Sequence, residues 1–440
     1  MENTGMNICL MNDSFPPLID GVANAVKNYA YEINKKGGHA IVVTPEHPDA
    51  DDEKFPFPVV RYPSIDMRNF VGYMAGIPFS PKLIKRLNQE NVELIHSHCP
   101  FASAYLARQL RGDIKVPQIL TYHTKFDVDI GRAVKLKVAK DETIKAVVSN
   151  VSAFDEVWAV SKGAGDNLRD LGYEGEIVVM DNGVDIPKGK VSTDVIDEKY
   201  DFLPKDLPIY LFVGRMMWYK GVRIILDALA ALKDGGYDFC MVFIGSGADL
   251  EEMKAYAKEI NVDDKVHFIG AVRDRDLLRA WYSRSDMLLF PSTYDTNGLV
   301  VREAAACSLP TVMIKDSCAS EGVTDDVNGF LIRENAASLA IKLSKLHDNR
   351  DFVRKVGQGA VDDLYLSWED AVSRALDRYQ YVIEQYKLGK YKKHATVTDG
   401  MLKALGTLMS ELSKIEKPRI LGQNNPDNED FVDDESPFWE

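Results

Sequence analysis

Residues 288–312 read LLFPSTYDTNGLVVREAAACSLPTV. The apolar segment that ends at Phe290 has the unbroken hydrophobicity of a strand buried on both faces. A polar loop follows, and Gly298 opens a helical pattern whose first turns contain Glu303. The chain returns as an apolar run at Thr311 to Ile314. Strand, loop, helix and strand in that order form the unit of a parallel sheet wrapped by helices.

The same alternation extends outward from this stretch in two blocks. Upstream in the same block, strands are predicted at Ile209 to Val213, Cys240 to Ile244, Val266 to Ile269 and Met287 to Phe290, with helical patterns between them. The other block has strands at Ile8 to Met11, Ala40 to Thr44, Val92 to Ser97, Gln118 to Tyr122, Val157 to Val160 and Ile177 to Met180. Its first helix carries Val22, Val26, Tyr29, Ala30 and Ile33 on one face and ends at Gly37-Gly38. The blocks predict domains over 1–190 and 209–366, with 191–208 as an aperiodic linker rich in Pro, Lys and Asp. A helix over 367–386, a basic and amphipathic extension over 387–420 and an acidic tail over 421–440 complete the chain.

Composition sets outer limits. The 440 residues are 45% hydrophobic and 27% charged, enough apolar content for two or three cores. No stretch is long and apolar enough for a membrane span, and the start lacks a signal-peptide pattern, so a cytosolic location is expected. The five cysteines are scattered without metal-ligand spacing and are expected as buried free thiols. The formal net charge is −14, which disfavours a dedicated nucleic-acid binder. Seven acids and no Lys or Arg lie in residues 421–440, so half of that charge belongs to the tail.

Open sheets of this kind bind ligands beyond the carboxyl ends of their strands. Arg215 stands just after one strand, and Lys220 follows near the start of a helical pattern. Such a pair can clamp a diphosphate and neutralise charge that develops on a leaving phosphate; a solvated surface pair is the alternative. Asp295 lies in the loop before the next helix and Glu303 one to two turns inside it. Carboxylates accept from paired sugar hydroxyls, and the N–H groups around Asn297, Gly298, Leu299 and Val300 could receive phosphate. The alternative is that Asp295 caps the helix and Glu303 pairs with Arg302 or another surface cation. Gly245-Ser246-Gly247 lacks the third glycine of a dinucleotide fingerprint and is read as a tight turn.

The ordered set VGR, Lys220-Gly221 and G-L-V-x-x-E-A-x-A-C-x-x-P-T-V resembles the family-four retaining glycosyltransferases of the GT-B fold. The first block agrees through Asp20-Gly21-Val22, His96-Ser97-His98, Thr121-Tyr122-His123-Thr124 and Asn182-Gly183-Val184-Asp185. The fold class implied is α/β, with two Rossmann-like parallel-sheet domains facing each other across a cleft. By resemblance, Arg215 and Lys220 hold the diphosphate of a nucleotide sugar, Asp295 reaches the transferred hexose and Glu303 the ribose. Asn297, Gly298, Leu299 and Val300 belong to the same donor loop, Gly270 and Val272 read the base, and Gly21 approaches phosphate or acceptor. His123 matches the active-site histidine. Asp295 stands where the family has a glutamate, and Asp20 where it usually has a glycine. The Asp127-Val128-Asp129 run is set aside as a metal site, and no cofactor or essential metal is expected, because the two cations stabilise the leaving group.

Thr296-Asn297-Gly298-Leu299 resembles the branch that glucosylates diacylglycerol. Interleaved Arg132, Lys135, Lys137, Lys140 and Lys145, with Lys82, Lys85 and Arg86, would suit an anionic membrane surface or an ordinary solvated helix face. The resemblance thus implies transfer of an α-linked hexose, glucose from UDP-glucose, to a lipid hydroxyl at the cytosolic membrane face. A soluble glycan or polyprenyl-linked saccharide acceptor, and a nucleotide-sugar-binding regulatory subunit with little turnover, remain as alternatives.

Overall fold

The computed structural model describes residues 5–18, 20–67, 74–78, 81–127, 130 and 137–391. The chain divides into two compact units. One comprises Met1–Val160, Gly165–Met180 and Val372–Glu440, and the other Ser161–Ala164 and Asp181–Ala371.

In the first unit the strands are β1 (Asn7–Met11), β2 (His39–Pro45), β3 (Val59–Tyr62), β4 (Ser64–Asp66), β5 (Met74–Gly76), β6 (Leu94–Ser97), β7 (Gln118–Tyr122), β8 (Glu156–Ala159) and β9 (Ile177–Val179). Seven of them form a parallel sheet in the order β3-β2-β1-β6-β7-β8-β9, while β4 and β5 pair antiparallel apart from it. The residues Ile8 to Met11 are fully buried, as expected for a central strand covered on both faces. The late helix Trp368–Lys387 brings Tyr379 into this unit, stacked on Trp158 with ring centroids 5.3 Å apart. Arg378 on the same helix pairs with Glu156 at 2.8 Å.

The second unit has β10 (Ile209–Val213), β11 (Cys240–Ile244), β12 (Val266–Phe268), β13 (Met287–Phe290), β14 (Thr311–Ile314) and β15 (Phe330–Ile332), all parallel in the order β12-β11-β10-β13-β14-β15. Its core includes Ile186 and Ile196. The stretch expected as a linker therefore carries structure: Asp194–Lys199 is a helix, and its Ile196 is fully buried. That helix reads DVIDEK, and a single buried isoleucine among charges gives no periodic signal. All five cysteines are free thiols; Cys9, Cys240 and Cys307 are buried, Cys99 and Cys318 only partly. The basic and amphipathic extension beyond Tyr391, the acidic tail, and Arg132 and Lys135 lie outside the described residues.

Each sheet has one place where its winding reverses: between β1 and β6 in the first, between β10 and β13 in the second. In each unit the loops that follow these strand pairs meet at the switch point, which is where such sheets bind ligands. In the second unit the convergence is enforced by Gly221. It has φ +80°, and a Cβ placed on it would stand 2.0 Å from the carbonyl oxygen of Pro291, the residue after β13. No other residue type allows that approach. Gly37 is also left-handed, at φ +84°, but has open space around it. Gly37→Ala should cost only the left-handed penalty of about 1 kcal/mol. Gly221→Ala should cost several times more, about 3 kcal/mol or beyond, because the Pro291 loop must move as well. Urea unfolding of the two variants checks this; equal losses would mean that the close approach carries no weight.

Candidate active site

The second unit gathers Arg215, Lys220 and Asp295 in the loops after β10 and β13. Arg215 follows β10 within a loop held on both sides: Gly214 donates to the Ile244 carbonyl at 3.0 Å and Met216 to the Ser246 carbonyl at 2.9 Å. The Gly245-Ser246-Gly247 turn thus supports Arg215. A Cβ on Gly245 would stand 1.9 Å from the Gly214 carbonyl oxygen. Trp218–Lys220 forms a 3-10 turn, and its first N–H is accepted by the Asp249 carboxylate at 2.8 Å. Lys220 emerges from that turn almost wholly buried, and its Nζ donates to Asp295 Oδ1 at 2.8 Å. The second oxygen of Asp295 accepts the Ser292 hydroxyl at 2.5 Å. Asp295 therefore does not cap the following helix, Leu299–Ala306. The cap residue there is Gly298, left-handed at φ +60°, and it provides no side-chain hydrogen bond.

Tyr219 and Tyr294, neither singled out in the sequence, frame the cations. Their rings lie 4.7 Å apart. Lys220 Nζ is 5.8 and 5.4 Å from the two ring centroids, and the Arg215 guanidinium is 5.9 Å from Tyr219. Aromatic faces stabilise desolvated cations without neutralising them, so positive charge is retained beside the Asp295 carboxylate. The only signal in the sequence was adjacency, as each tyrosine sits next to a residue already chosen.

Glu303 is anchored by partners the sequence could not name. Its Oε1 accepts from Arg275 Nη2 at 2.7 Å and its Oε2 from the Tyr282 hydroxyl at 2.8 Å. Arg302 instead reaches Asp181 at 2.6 Å and the Leu364 carbonyl at 3.2 Å. Burial and then the Glu303 charge push the Tyr282 hydroxyl well above its ordinary range, keeping it a hydrogen-bond donor. Asn297 and Val301 are buried at this helix start, with Leu299 and Val300 in its first turn. Gly270 has φ +80° and its carbonyl accepts the Gly245 N–H at 2.9 Å, while Val272 packs against the core. The Arg215, Lys220, Asp295 and Glu303 group is thus assembled in one unit.

His123 and Gly21 belong to the first unit, where residues after β1, β6 and β7 line an open cavity. His123 follows β7, and its Nε2 lies 3.0 Å from Nδ1 of His98, which follows β6. His96 stacks on His98 with ring centroids 3.9 Å apart; its own nitrogens meet the Tyr379 hydroxyl at 2.6 Å and the Thr121 hydroxyl at 2.7 Å. Burial holds all three imidazoles neutral, with His123 pulled down to about 3. Gly21 begins the helix Gly21–Lys35 just after its cap residue Asp20. In the sequence, His98 stood out only as part of His96-Ser97-His98, with no role beside His123.

No cluster of His, Cys, Asp or Glu suited to a metal ion occurs among the described residues. Asp127 accepts from Asn167 Nδ2 at 3.4 Å. Arg86 pairs with Glu90 at 2.5 Å and Lys145 with Glu142 at 2.9 Å, so part of the basic surface is locally neutralised. No helix of the described residues is long and apolar enough to cross a membrane.

A family model described as Glycosyltransferase Family 4 matches residues 19–188, and one described as Glycosyl transferases group 1 matches residues 196–362. The chain is a family-four glycosyltransferase. This transferase is 23% identical over 333 residues to an alpha-monoglucosyldiacylglycerol synthase of Streptococcus pneumoniae, covering 74% of this chain and 75% of that protein. It is 26% identical over 393 residues to a GDP-mannose-dependent alpha-mannosyltransferase of Corynebacterium glutamicum, covering 86% and 89%. Its fold matches that of sucrose-phosphate synthase from Thermosynechococcus elongatus with a TM-score of 0.65 at 21% identity, over 93% of this chain and 100% of that one. Both parallel sheets and these matches make the transferase a GT-B protein.

The buried histidines give the transferase a definite acid response. His123 binds a proton in the unfolded chain below about pH 6.5 but resists it when folded down to about pH 3, so stability is complete above 6.5 and falls as pH drops through that window. At pH 5 the His123 contribution to the loss is about 2 kcal/mol. Urea unfolding at pH 7.5 and pH 5 should show wild type losing about that much more than His123→Gln. Parallel losses would show that His123 is not held neutral.

Proposed function

We propose that the transferase moves a hexose, glucose from UDP-glucose in the first instance, with retention of configuration, to the hydroxyl of a membrane lipid such as diacylglycerol at the cytosolic membrane face. The observation that carries this reading is the largely apolar wall of the first unit's cavity, formed by Leu18, Val22, Pro100, Phe101 and Tyr122 beside the neutral His98 and His123. Apolar walls with a few polar groups suit a hydrophobic ligand that offers one reactive hydroxyl. The similarity to the alpha-monoglucosyldiacylglycerol synthase supports the same direction.

In the chemistry, the C1–O bond to the diphosphate breaks with its electron pair on the phosphate oxygen, and the acceptor hydroxyl oxygen forms the new bond to C1. The acceptor proton passes to the departing phosphate. Arg215 and Lys220 stabilise the charge that develops there, a role worth most where the cations are fixed and water is sparse. Asp295 holds Lys220 in place and offers the sugar hydroxyls an acceptor. His123, neutral at physiological pH, exchanges a hydrogen bond with the sugar rather than a charge. Glu303 receives the ribose hydroxyls, and no metal is assigned a part.

A donor-by-acceptor matrix tests the proposal: UDP-glucose, UDP-galactose and GDP-mannose against diacylglycerol, soluble glycans and polyprenyl-linked saccharides, with product analysis. The similarity to the GDP-mannose-dependent enzyme makes GDP-mannose the second donor to examine. Glucosyl-diacylglycerol is the expected product. Binding of UDP-sugars without product from any acceptor would favour the regulatory-subunit alternative. Lys220→Ala should lower kcat by about 10²- to 10³-fold, and near-normal turnover would remove Lys220 from the leaving-group role. Attachment to anionic vesicles should weaken as salt is raised, since the contact is electrostatic; no co-sedimentation at low salt would contradict membrane attachment.

A further inference from the structure

The cavity of the first unit discriminates among ligands by charge, an inference that rests on its role as the acceptor site above. Two helices begin at its wall. A helix start carries unpaired N–H groups and about half a positive charge, and is the ordinary place for a phosphate. Here both starts are occupied by the chain's own carboxylates. Asp20 caps the helix Gly21–Lys35, with Oδ1 accepting the Ala23 N–H at 2.6 Å. The helix Ala102–Leu110 has no side-chain cap from its own preceding residue, Phe101. Asp13, reaching across from the loop after β1, supplies one: its two oxygens accept the N–H groups of Ala102 at 3.0 Å and Ser103 at 2.6 Å.

Burial raises both carboxyls above their ordinary range, and their hydrogen bonds offset part of that rise. Each, when ionised, sets a negative charge against a partial positive one, so the balance facing the cavity is negative. Asp13 is buried and Asp20 partly so, which limits screening by salt. The Cys99 thiol on the same wall registers this field: burial, and then the Asp13 charge, push it well above its ordinary range. The wall of the cavity also carries an unmet polar group. His98 is 2% exposed, its Nδ1 is engaged with His123, and its buried Nε2 has no hydrogen-bond partner among the described residues. A neutral imidazole nitrogen of that kind is suited to a hydroxyl and offers no charge to an anion.

We propose that this cavity takes an uncharged, hydroxyl-bearing acceptor and rejects one with a phosphate near its reacting hydroxyl, with Asp13 and Asp20 as the residues that set this specificity. The source of the hydroxyl is a lipid; a soluble sugar is the other outcome tested.

The experiment compares matched acceptors in uncharged vesicles or in solution: diacylglycerol with phosphatidylglycerol, and glucose with glucose 6-phosphate. Wild type should prefer the uncharged member of the pair it uses by at least about tenfold in kcat/KM. Asp13→Asn and Asp20→Asn keep a capping oxygen and remove the charge; each should narrow the preference through faster use of the phosphorylated member. Equal use of both members by wild type overturns the inference and leaves the transferase reading intact, whereas no transfer to any acceptor overturns that reading instead. A turnover-independent arm then decides: in the Lys220→Ala background, inorganic phosphate followed by ³¹P NMR should bind Asp20→Gly at least about tenfold more tightly than the parent. Unchanged affinity overturns the inference.

Discussion

The second unit depends on one backbone contact, the approach of Gly221 to the Pro291 carbonyl. It joins the loops after β10 and β13, the two strands between which the sheet changes direction. Without it the 3-10 turn of Trp218–Lys220 would have no fixed relation to the loop that carries Asp295. With it, a buried ammonium meets a carboxylate at 2.8 Å. Such a pair adds little net stability once its desolvation is counted. Its value is geometric: it fixes a cation beside an acceptor in the loop after β13. The two tyrosines and the Gly245–Gly247 turn complete the frame around Arg215 and Lys220.

Among the described residues, the cavity of the first unit has no Lys or Arg in its lining. Its ligating residues also follow the strands at a switch point, yet they are imidazoles held uncharged by burial and carboxylates already engaged with helix N–H groups. One unit therefore presents cations suited to a diphosphate, and the other a cavity with no free positive charge at its helix starts. On the function proposed above, that division matches an anionic donor and an acceptor with a nucleophilic hydroxyl.

Much of this was legible in the sequence, and the gaps have physical causes. The central strands were read almost to the residue because burial on both faces leaves uninterrupted apolar runs, as in IYLFV and CMVFI. β3, β4, β5 and β15 were missed: β3 and β15 are short edge strands, where VVRY carries an arginine and FLI is only three residues long, and β4 and β5 are three-residue strands outside the main sheet. Arg215, Lys220, Asp295, Glu303 and His123 were singled out because each stands just beyond a strand or in the helix that follows one and falls on the family's motif. The partners of Glu303 were not, because Arg275 and Tyr282 lie far from it along the chain and are brought to it by the winding of the sheet; His98 was read only as part of His96-Ser97-His98. Asp20 was noticed as a departure from the family pattern; only the 2.6 Å bond to Ala23 shows that it fills the helix start itself.

The central claim is that Arg215 and Lys220 hold the diphosphate of a nucleotide sugar. Calorimetric titration of the full chain with UDP tests it most directly, independent of any acceptor. Wild type should bind, and Arg215→Ala and Lys220→Ala should each weaken the affinity by about tenfold or more, the loss expected for a charged hydrogen bond. UDP affinity unchanged in both variants would contradict the account.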